Sequence, residues 1–374
     1  MEATALVYVC LTVLVLAIAM QIDNRELNTL PSTAGITRQE RFNRISMIGI
    51  YVLLTGVSAC RIAVGNDYWG YRNSFRIIAQ DRHVSFELGM QWIVKAFYAL
   101  FGYDNYLPVF AFFSVLTVLF FMLALRHLGK YYAFSLFLLM TGGFYFNSLN
   151  SIRYYLALAI ALWSIRFVLR RDYLRFLLLI VFGMFFHKSV LLVVPVYLIT
   201  WGLSNLRYRK WMLPVGGAVF TVFVLSLIFA QDAYRWLIFK FYPYYEGSVF
   251  DNGDISYVNI LRCAAVLVLS MLCFRQLLPR EAARLRFYGL LNLFGLVVYL
   301  CGSFIPTTSR IGYYFIIPQI FLIPELTEGM KPGRMKTLVR VAVIAGFTLY
   351  FAFLLLQMYD EGVKLLPYRN WIFQ

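Results

Sequence analysis

The residue types best suited to catalysis lie in four short polar stretches, each beside a long apolar run. The first stretch is Gly65-Asn66-Asp67-Tyr68-Trp69-Gly70-Tyr71-Arg72. Its glycines and asparagine favour a tight turn that presents a carboxylate, and its three aromatic rings can stack on a sugar. An interfacial aromatic belt with a loop aspartate is the structural alternative. Functional use is favoured because Arg76, Asp81, Arg82 and Glu87 follow so closely.

The second stretch, residues 147–155, opens a predicted helix. Asn150 and Arg153 are three residues apart, so both side chains can point at one ligand from one helix face. An ionisable residue at the wall of a membrane protein is a functional candidate by default. The alternative is structural, with Asn150 or Ser151 capping the helix and Arg153 reaching to the interface.

The third stretch, Phe185-Phe186-His187-Lys188-Ser189, contains one of only three histidines in the chain. An apolar setting disfavours the charged imidazolium, and a neutral imidazole can take a proton from a hydroxyl as a general base. His187 is therefore a candidate base, with Asp67 and Glu87 as competing carboxylates. A capping or core histidine is the structural alternative.

The fourth stretch, Pro306-Thr307-Thr308-Ser309-Arg310-Ile311-Gly312-Tyr313-Tyr314, places an arginine after three hydroxyl side chains at a predicted helix start. A helix N-terminus favours anions. Arg153 and Arg310 together predict a pyrophosphate clamp, because guanidinium groups bind phosphate oxygens in pairs. Arg310 could instead reach to the membrane interface. Arg262, inside an apolar run, is expected to join this site or to pair with a carboxylate.

The sequence offers little support for other chemistries. It has no paired histidines, cysteine cluster, phosphate-binding glycine loop or serine-nucleophile elbow, so neither a metal nor a cofactor is expected. Asp251-Asn252-Gly253-Asp254 resembles a metal loop but is more typical of a plain turn. The five cysteines all fall in apolar runs and are interpreted as small buried hydrophobes.

Apolar helices must position these residues. Of 374 residues, 61% are hydrophobic and 14% charged, which excludes a water-soluble globular protein, where about 25% are charged. A membrane-spanning helix needs about 20 apolar residues. The pattern predicts an all-α polytopic membrane protein, a single domain over 1–374 with about twelve transmembrane helices: 3–22, 45–63, 106–125, 131–147, 151–169, 173–187, 189–204, 211–230, 256–274, 287–304, 310–326 and 338–358.

A further segment, 85–101, is predicted to be an amphipathic helix at the outer surface. Glu87, Gln91 and Lys95 recur every four residues and therefore line one helical face. The opposite face is apolar, which suits a helix lying in the membrane interface.

The net charge of +16 is explained mainly by membrane topology. If the loop 23–44 is cytoplasmic, that side holds 21 basic and seven acidic residues, a net charge of +14. The opposite side holds 12 basic and 11 acidic residues. The positive-inside rule then places both termini, the loops 64–105 and 231–255 and the tail 359–374 outside. Because membrane insertion accounts for most of the positive charge, a nucleic-acid partner is not expected.

The four stretches, in this order, resemble the EpsG family of bacterial exopolysaccharide and capsule polymerases, relatives of the Wzy-like O-antigen polymerases. The similar segments cover nearly the whole chain: Gly65-Asn66-Asp67-Tyr68 with Tyr71, Glu87-Leu88-Gly89, Ser151-Ile152-Arg153, His187-Lys188-Ser189, Arg310-Ile311-Gly312-Tyr313-Tyr314 and Leu366-Pro367-Tyr368-Arg369. Tyr154 stands where the family commonly has glutamine. The chain therefore lacks the amide side chain at this position, whereas the role expected of Arg153 is unaffected.

The resemblance implies a GT-C-type glycosyltransferase architecture in the bacterial cytoplasmic (inner) membrane, acting at its outer face on oligosaccharides linked to undecaprenyl diphosphate. It also implies two partners, a flippase that delivers lipid-linked repeat units and a polysaccharide co-polymerase that regulates chain length. In this hypothesis Arg153 and Arg310 stabilise the leaving diphosphate, with Arg72 and Lys188 as further candidates. His187, Asp67 or Glu87 deprotonates the acceptor. The aromatic residues of the first stretch border the sugar path: Tyr68, Trp69 and Tyr71.

Two alternative functions remain open. A flippase or exporter of lipid-linked sugar would need polar residues along a path through the membrane, whereas here they concentrate toward the predicted outer half. A membrane acyltransferase that modifies exported polysaccharide would need access to an acyl donor, often from the cytoplasmic side. No buried polar site is evident in the sequence there.

Overall fold

The computed structural model describes residues 3–24, 37–205, 209–248, 251–274, 282–360 and 362–372. Within these ranges every regular element is helical, and the one β-bridge joins Arg61 to Asn370. Several residues used to predict the topology lie outside the described ranges: Arg25, Arg207, Arg275 and Arg280, with parts of the loops 23–44 and 231–255.

The helices follow one another with short connections. The first are α1 (Ala3–Ala19), α2 (Arg38–Ala59), α3 (Tyr68–Ala79), α4 (Leu88–Phe101), α5 (Leu107–Leu128), α6 (Tyr132–Thr141), α7 (Phe144–Asn147), α8 (Ile152–Leu169) and α9 (Tyr173–Met184). After a 3-10 turn at Lys188–Leu192 come α10 (Val193–Ser204), α11 (Arg209–Phe229), α12 (Gln231–Phe241), α13 (Tyr257–Phe274), α14 (Ala282–Cys301), α15 (Thr308–Ile316), α16 (Gln319–Glu328) and α17 (Arg334–Gln357).

Each predicted apolar run lies on one helix or on two consecutive helices. The run 131–147 is divided at Gly143, whose φ of 80° is a left-handed conformation that glycine adopts at little cost. The run 310–326 is divided next to Pro318, which has no backbone N–H to continue the helical ladder. Two helices, α3 and α12, were not predicted from the sequence.

Several of these helices can cross a membrane. In the described ranges, five helices are long and apolar enough, namely α2, α5, α8, α14 and α17. The pair α11 and α12, bent by 78°, would make a sixth if it forms one span. The remaining apolar helices are shorter, so the twelve spans, the GT-C-type architecture and the outward-facing termini stay predictions.

The chain divides into two compact units. Unit 1 comprises Met1–Phe167, Tyr173–Leu191 and Gly333–Gln374, and unit 2 comprises Val168–Asp172 and Leu192–Pro332. In unit 1, α2 packs against α1 and α5, and α6 packs against α1 and α17. The helix α8 lies in the interior, since 83% of its 18 residues are buried. In unit 2, α14 packs against α10, α11, α13, α15 and α16.

The predicted amphipathic segment 85–101 forms α4. This helix buries Met90, Val94 and Tyr98 and exposes a row of large apolar side chains, Leu88, Trp92, Leu100 and Phe101. Exposed apolar side chains in a row are typical of a helix that lies in the membrane interface. The loop before α4 and the turn after α9 bring the polar residues of unit 1 together.

Candidate active site

The start of α8 contacts all three residues that the sequence proposes as bases. Ser151 donates a hydrogen bond of 2.7 Å to Oδ2 of Asp67. Arg153 forms an ion pair with Glu87, and the Tyr154 ring lies edge-on to His187 with 5.5 Å between centroids. One turn of a buried helix therefore gathers groups from three separate segments of unit 1.

The ion pair between Arg153 and Glu87 is the most buried pair of the site. The side chains are 12% and 5% exposed, and the Arg153 guanidinium also lies 3.8 Å from the centroid of the Phe86 ring. The second carboxylate oxygen of Glu87 accepts a bond of 3.2 Å from the backbone N–H of Lys188. Both carboxylate oxygens of Glu87 are therefore bonded within the protein, one to Arg153 and one to the Lys188 N–H, so Glu87 is well placed to orient Arg153.

His187 is buried, with 5% of its surface exposed. Its Nδ1 lies 2.7 Å from the Ser189 hydroxyl, which fixes the orientation of the ring. Lys188 follows with an exposed side chain, so its charge lies at the solvent side of the same turn. The site thus holds an oriented imidazole next to a paired guanidinium.

A close backbone approach aligns Glu87 with this turn. Gly89, in the first turn of α4, donates a backbone hydrogen bond of 2.9 Å to the Phe185 carbonyl. A Cβ placed on Gly89 would lie 2.7 Å from that carbonyl oxygen and 2.9 Å from the Phe185 Cβ. Only glycine allows the two segments to meet at this distance.

Replacing Gly89 with alanine is therefore expected to destabilise the protein. The added methyl group forces α4 away from the Phe185 carbonyl, and overpacking of this kind costs about 1–3 kcal/mol. Thermal unfolding of the purified protein measures the effect. Gly70→Ala in α3, where no atom lies within 4 Å of the new Cβ, is the matched control and is expected to be neutral or slightly stabilising. Equal unfolding midpoints for the two variants would contradict the close approach.

Asp67 lies in a turn that is fixed against the start of α8. Gly65 has a φ of 98°, and a Cβ there would lie 2.9 Å from the Asn150 Cα. The Asn150 side-chain oxygen accepts a bond of 2.9 Å from the Asp67 N–H. The sequence predicted that Asn150 and Arg153 point at one ligand, whereas in the structure Asn150 bonds the Asp67 turn and Arg153 bonds Glu87.

The aromatic residues of the first stretch divide between the core and the surface, because α3 begins at Tyr68. Tyr68 is 1% exposed and stacks on Phe110 at 4.4 Å, and Tyr71 is 6% exposed. Burial raises the pKa of Tyr68. Trp69 is 45% exposed, and the Arg72 guanidinium lies 5.3 Å from its ring centroid. Trp69 and Arg72 are thus the members of this stretch best placed to meet a ligand.

In unit 2, Arg310 lies in the first turn of α15 and lines a cavity of about 370 Å³. Its Nη1 donates a hydrogen bond of 3.0 Å to the Tyr245 hydroxyl. The cavity is bordered by hydroxyl, amide and carboxylate groups of Asn252, Asp254, Ser256, Thr307, Thr308 and Ser309. The turn at 251–254, interpreted from sequence as plain, therefore contributes to a polar cavity.

The two tyrosines after Arg310 have different surroundings. Tyr314 is fully buried, and its carbonyl accepts a bond of 3.0 Å from the Tyr197 hydroxyl. Tyr313 is half-buried. A glycine is required directly before them, at position 312, since a Cβ there would lie 2.4 Å from the Tyr299 hydroxyl oxygen.

Arg262 belongs to a polar network inside unit 2. Its Nε donates a bond of 2.7 Å to the Gln319 side-chain oxygen, and the Gln319 amide donates 2.6 Å to Asn292. The sequence left open whether Arg262 joins the site or pairs with a carboxylate. The bonded partner in the network is an amide, on α16.

The sequence did not predict the ion pairs between side chains, among them those of Arg235 and Arg76, and one buried arginine was also missed. Arg235 forms a two-bond contact with Asp251, at 2.7 and 2.8 Å, and this contact lowers the pKa of Asp251. Arg76 pairs with Asp104 and lowers its pKa in the same way. Partners so far apart in sequence leave no local signal. Arg61, directly after α2, could have been noticed as a charge at the end of an apolar run.

Arg61 is fully buried, and none of the described carboxylates pairs with it. It donates 3.1 Å to the Leu149 carbonyl and 2.9 Å to the Ser114 hydroxyl, and it also bonds the Ser58 carbonyl. Arg61 therefore links the end of α2 to the residues just before α8.

The described residues contain no group of three or more histidine, cysteine, aspartate or glutamate side chains close enough to hold a metal ion. In unit 1 the structure brings together six residues singled out by the sequence: Asp67, Glu87, Asn150, Arg153, His187 and Lys188. Four more candidates also lie in unit 1, on α3: Tyr68, Trp69, Tyr71 and Arg72. The remaining four belong to unit 2: Arg262, Arg310, Tyr313 and Tyr314.

Comparison with known proteins gives one match. The model of the EpsG family matches residues 44–370, a range that contains every candidate site residue named from the sequence. No curated protein and no solved structure shows a significant match to the chain.

Proposed function

Because the chain belongs to the EpsG family, we propose that it is a polysaccharide polymerase that joins oligosaccharide repeat units carried on undecaprenyl diphosphate. Family membership supports an exopolysaccharide-related polymerase of the glycosyltransferase kind, and the apolar helices make it a multi-pass membrane protein. The observation that carries the proposal is the start of α8, where one helical turn contacts Glu87, Asp67 and the buried imidazole of His187.

The proposed reaction transfers a growing glycan to the non-reducing sugar of a fresh repeat unit. The bond between the donor sugar and its diphosphate breaks, and a bond forms from the acceptor oxygen to the same carbon. The hydroxyl proton passes to a base, and the diphosphate lipid leaves with the bonding electrons. Stabilising the charge that develops on the diphosphate is the main electrostatic task.

We assign the base to His187. Glu87 is bonded to a guanidinium and an N–H donor, and Asp67 accepts a hydrogen bond from Ser151. Both carboxylates are therefore already used in contacts that position the turn and the guanidinium. The His187 imidazole is buried and oriented by Ser189, which suits proton transfer.

Arg153 supplies the positive charge for the diphosphate in this proposal, with the exposed Lys188 next to it in unit 1. Glu87 and the Phe86 ring hold the guanidinium in place, so it need not reorganise during the reaction. Trp69 and Arg72 border the sugar path. For Arg310, which lines its own polar cavity in unit 2, we propose contact with an anionic part of a lipid-linked substrate.

We further propose that the site faces outward in the bacterial cytoplasmic membrane. The support is the charge asymmetry of the sequence, with basic residues concentrated in the loops assigned to the cytoplasm. Repeat units would then arrive through a flippase, and a polysaccharide co-polymerase would set chain length.

Incubating the purified protein with a defined lipid-linked repeat unit tests the function directly. The expected product is a ladder whose steps equal one repeat unit. One molecule of free diphosphate lipid should be released for each glycosidic bond formed. A flippase reconstituted in vesicles would move the substrate across the membrane without lengthening it. An acyltransferase would add the mass of an acyl group. Translocation without lengthening, or addition of an acyl group, in place of a ladder would contradict the proposal of a polymerase.

A further inference from the structure

The C-terminal segment 362–372, called the strap below, lies along the turn that carries Asp67. Two consecutive N–H groups of the turn donate to it, Gly65 to the Lys364 carbonyl at 2.7 Å and Asn66 to the Val363 carbonyl at 3.1 Å. Ile62 donates to the Arg369 carbonyl at 2.9 Å. The turn before Asp67 therefore obtains its backbone hydrogen bonds from the other end of the chain.

The strap is anchored in the core of unit 1. Leu365 and Leu366 are 0% and 2% exposed. The Tyr8 hydroxyl donates 2.8 Å to the Leu365 carbonyl, and the Tyr368 hydroxyl donates 3.0 Å to the Val57 carbonyl near the end of α2. Two buried leucines and two tyrosine hydrogen bonds hold the strap against α1 and α2.

The Asp67 turn is enclosed on its other side by α8. Gly65 approaches Asn150 so closely that a Cβ would lie 2.9 Å from its Cα. Arg61, which forms a β-bridge with Asn370 of the strap, bonds the Leu149 carbonyl with its side chain. The strap, the turn and the start of α8 thus form three adjoining layers, and the turn is the middle one.

From this arrangement we propose that the strap is a positioning element of the active site, which fixes the Asp67 turn against the start of α8. The inference rests on the proposed function, because the start of α8 carries Arg153, the residue assigned to the diphosphate. The strap does not itself touch the reacting atoms. It stabilises the position of the turn in which Ser151 donates a hydrogen bond to the Asp67 carboxylate and the Asn150 side-chain oxygen accepts one from the Asp67 N–H.

Leu365→Asp in the full-length protein tests the proposal, with Lys364→Asp as matched control. A carboxylate at the buried position 365 detaches the strap, because a buried charge without a partner is costly. Lys364 is exposed, so the same new carboxylate there leaves the strap in place. We expect kcat for repeat-unit transfer to fall at least tenfold in Leu365→Asp while KM changes less than threefold. Lys364→Asp is expected to retain both values.

Labelling of Cys60 with a maleimide reports on the strap without reference to activity. Cys60 is half-buried, and its carbonyl accepts a bond of 3.0 Å from the Trp371 N–H of the strap. In proteins that retain Cys60 as the one cysteine, Leu365→Asp is expected to label faster than the wild type. Unchanged labelling would contradict the anchoring, and faster labelling with unchanged kcat would overturn the positioning role.

A milder variant covers the case in which Leu365→Asp lowers the amount of folded protein. Tyr8→Phe combined with Tyr368→Phe removes both tyrosine hydrogen bonds and adds no charge. We expect faster Cys60 labelling and a lower kcat than in the wild type, with both changes smaller than in Leu365→Asp. Normal kcat with faster labelling would again overturn the positioning role. If the wild type makes no ladder, the proposed polymerase fails, whereas the labelling still decides whether the strap docks.

Discussion

Arg153→Lys is expected to reduce kcat on lipid-linked repeat units by roughly 10²–10³-fold, the range found when one donor to a developing negative charge is lost. Lysine keeps the positive charge but has no planar fork of N–H groups. A single ammonium group can pair with Glu87, yet it cannot also present the oriented donors that a diphosphate needs. The measurement is the turnover of purified protein, with its amount and unfolding midpoint determined in parallel.

Arg76→Lys is the matched control for Arg153→Lys. Arg76 also pairs with a carboxylate in unit 1, that of Asp104, but the two side chains are 40% and 37% exposed. Exposed pairs contribute little to stability, and this pair lies outside the proposed site. We expect wild-type turnover for Arg76→Lys. Wild-type turnover for Arg153→Lys as well would remove the guanidinium from the mechanism.

Glu87→Gln separates the two roles that a carboxylate can have beside Arg153. If Glu87 orients the guanidinium, the amide still accepts a hydrogen bond, so turnover should fall less than in Arg153→Lys and keep its dependence on pH. If Glu87 is the base, turnover should fall at least as far and the acid limb of the pH profile should be lost. The buried ion pair predicts the first result.

His187→Gln is expected to reduce kcat by roughly 10²–10⁴-fold, the usual contribution of a general base. Glutamine can still hydrogen-bond to Ser189, but it cannot take the proton of the acceptor hydroxyl. In the wild type, turnover should fall toward acid pH as the imidazole is protonated, and this limb of the profile should be absent from His187→Gln. Rates over a range of pH in a reconstituted assay provide the measurement.

Two further variants decide whether the histidine is the base. Ser189→Ala removes the contact to Nδ1 and should cost about tenfold or less, the size of one hydrogen bond, with the acid limb retained. Asp67→Asn should also retain the acid limb, because the amide oxygen can still accept the Ser151 hydrogen bond and His187 is unchanged. Loss of the limb in Asp67→Asn but not in His187→Gln would transfer the role of base to the carboxylate.

The helices that carry the site were largely predictable from hydrophobic runs, because burial and lipid contact both demand long apolar stretches. The helix α3 was missed for a physical reason. Its buried residues Tyr68, Tyr71, Phe75 and Ile78 follow helical spacing, but they alternate with glycine, arginine and asparagine, and the stretch was interpreted as a loop. Helices that begin directly after a tight turn carry weak signals of this kind.

The sequence singled out the site residues, but it could not predict their pairing. Arg153 and Glu87 are 66 residues apart, and Lys188 and Glu87 are 101 apart. No local periodicity connects such positions, since their contact depends on how α4, α8 and the turn after α9 pack. For the same reason the sequence treated Arg153 as a ligand-binding cation and Glu87 as a competing base, whereas the structure makes them partners.

The strap also determines when the site is complete during synthesis. The turn at 62–67 leaves the ribosome early, but its hydrogen-bond acceptors belong to the last part of the chain, and the bond from Tyr368 to Val57 spans 311 residues. At ~5–20 residues per second, roughly 15–60 s separate the two events. A nascent protein therefore inserts most of its helices while the Asp67 turn still lacks its partners. Under the proposed function, a chain that ends before residue 362 is therefore expected to transfer glycan at least tenfold more slowly than the chain with its strap.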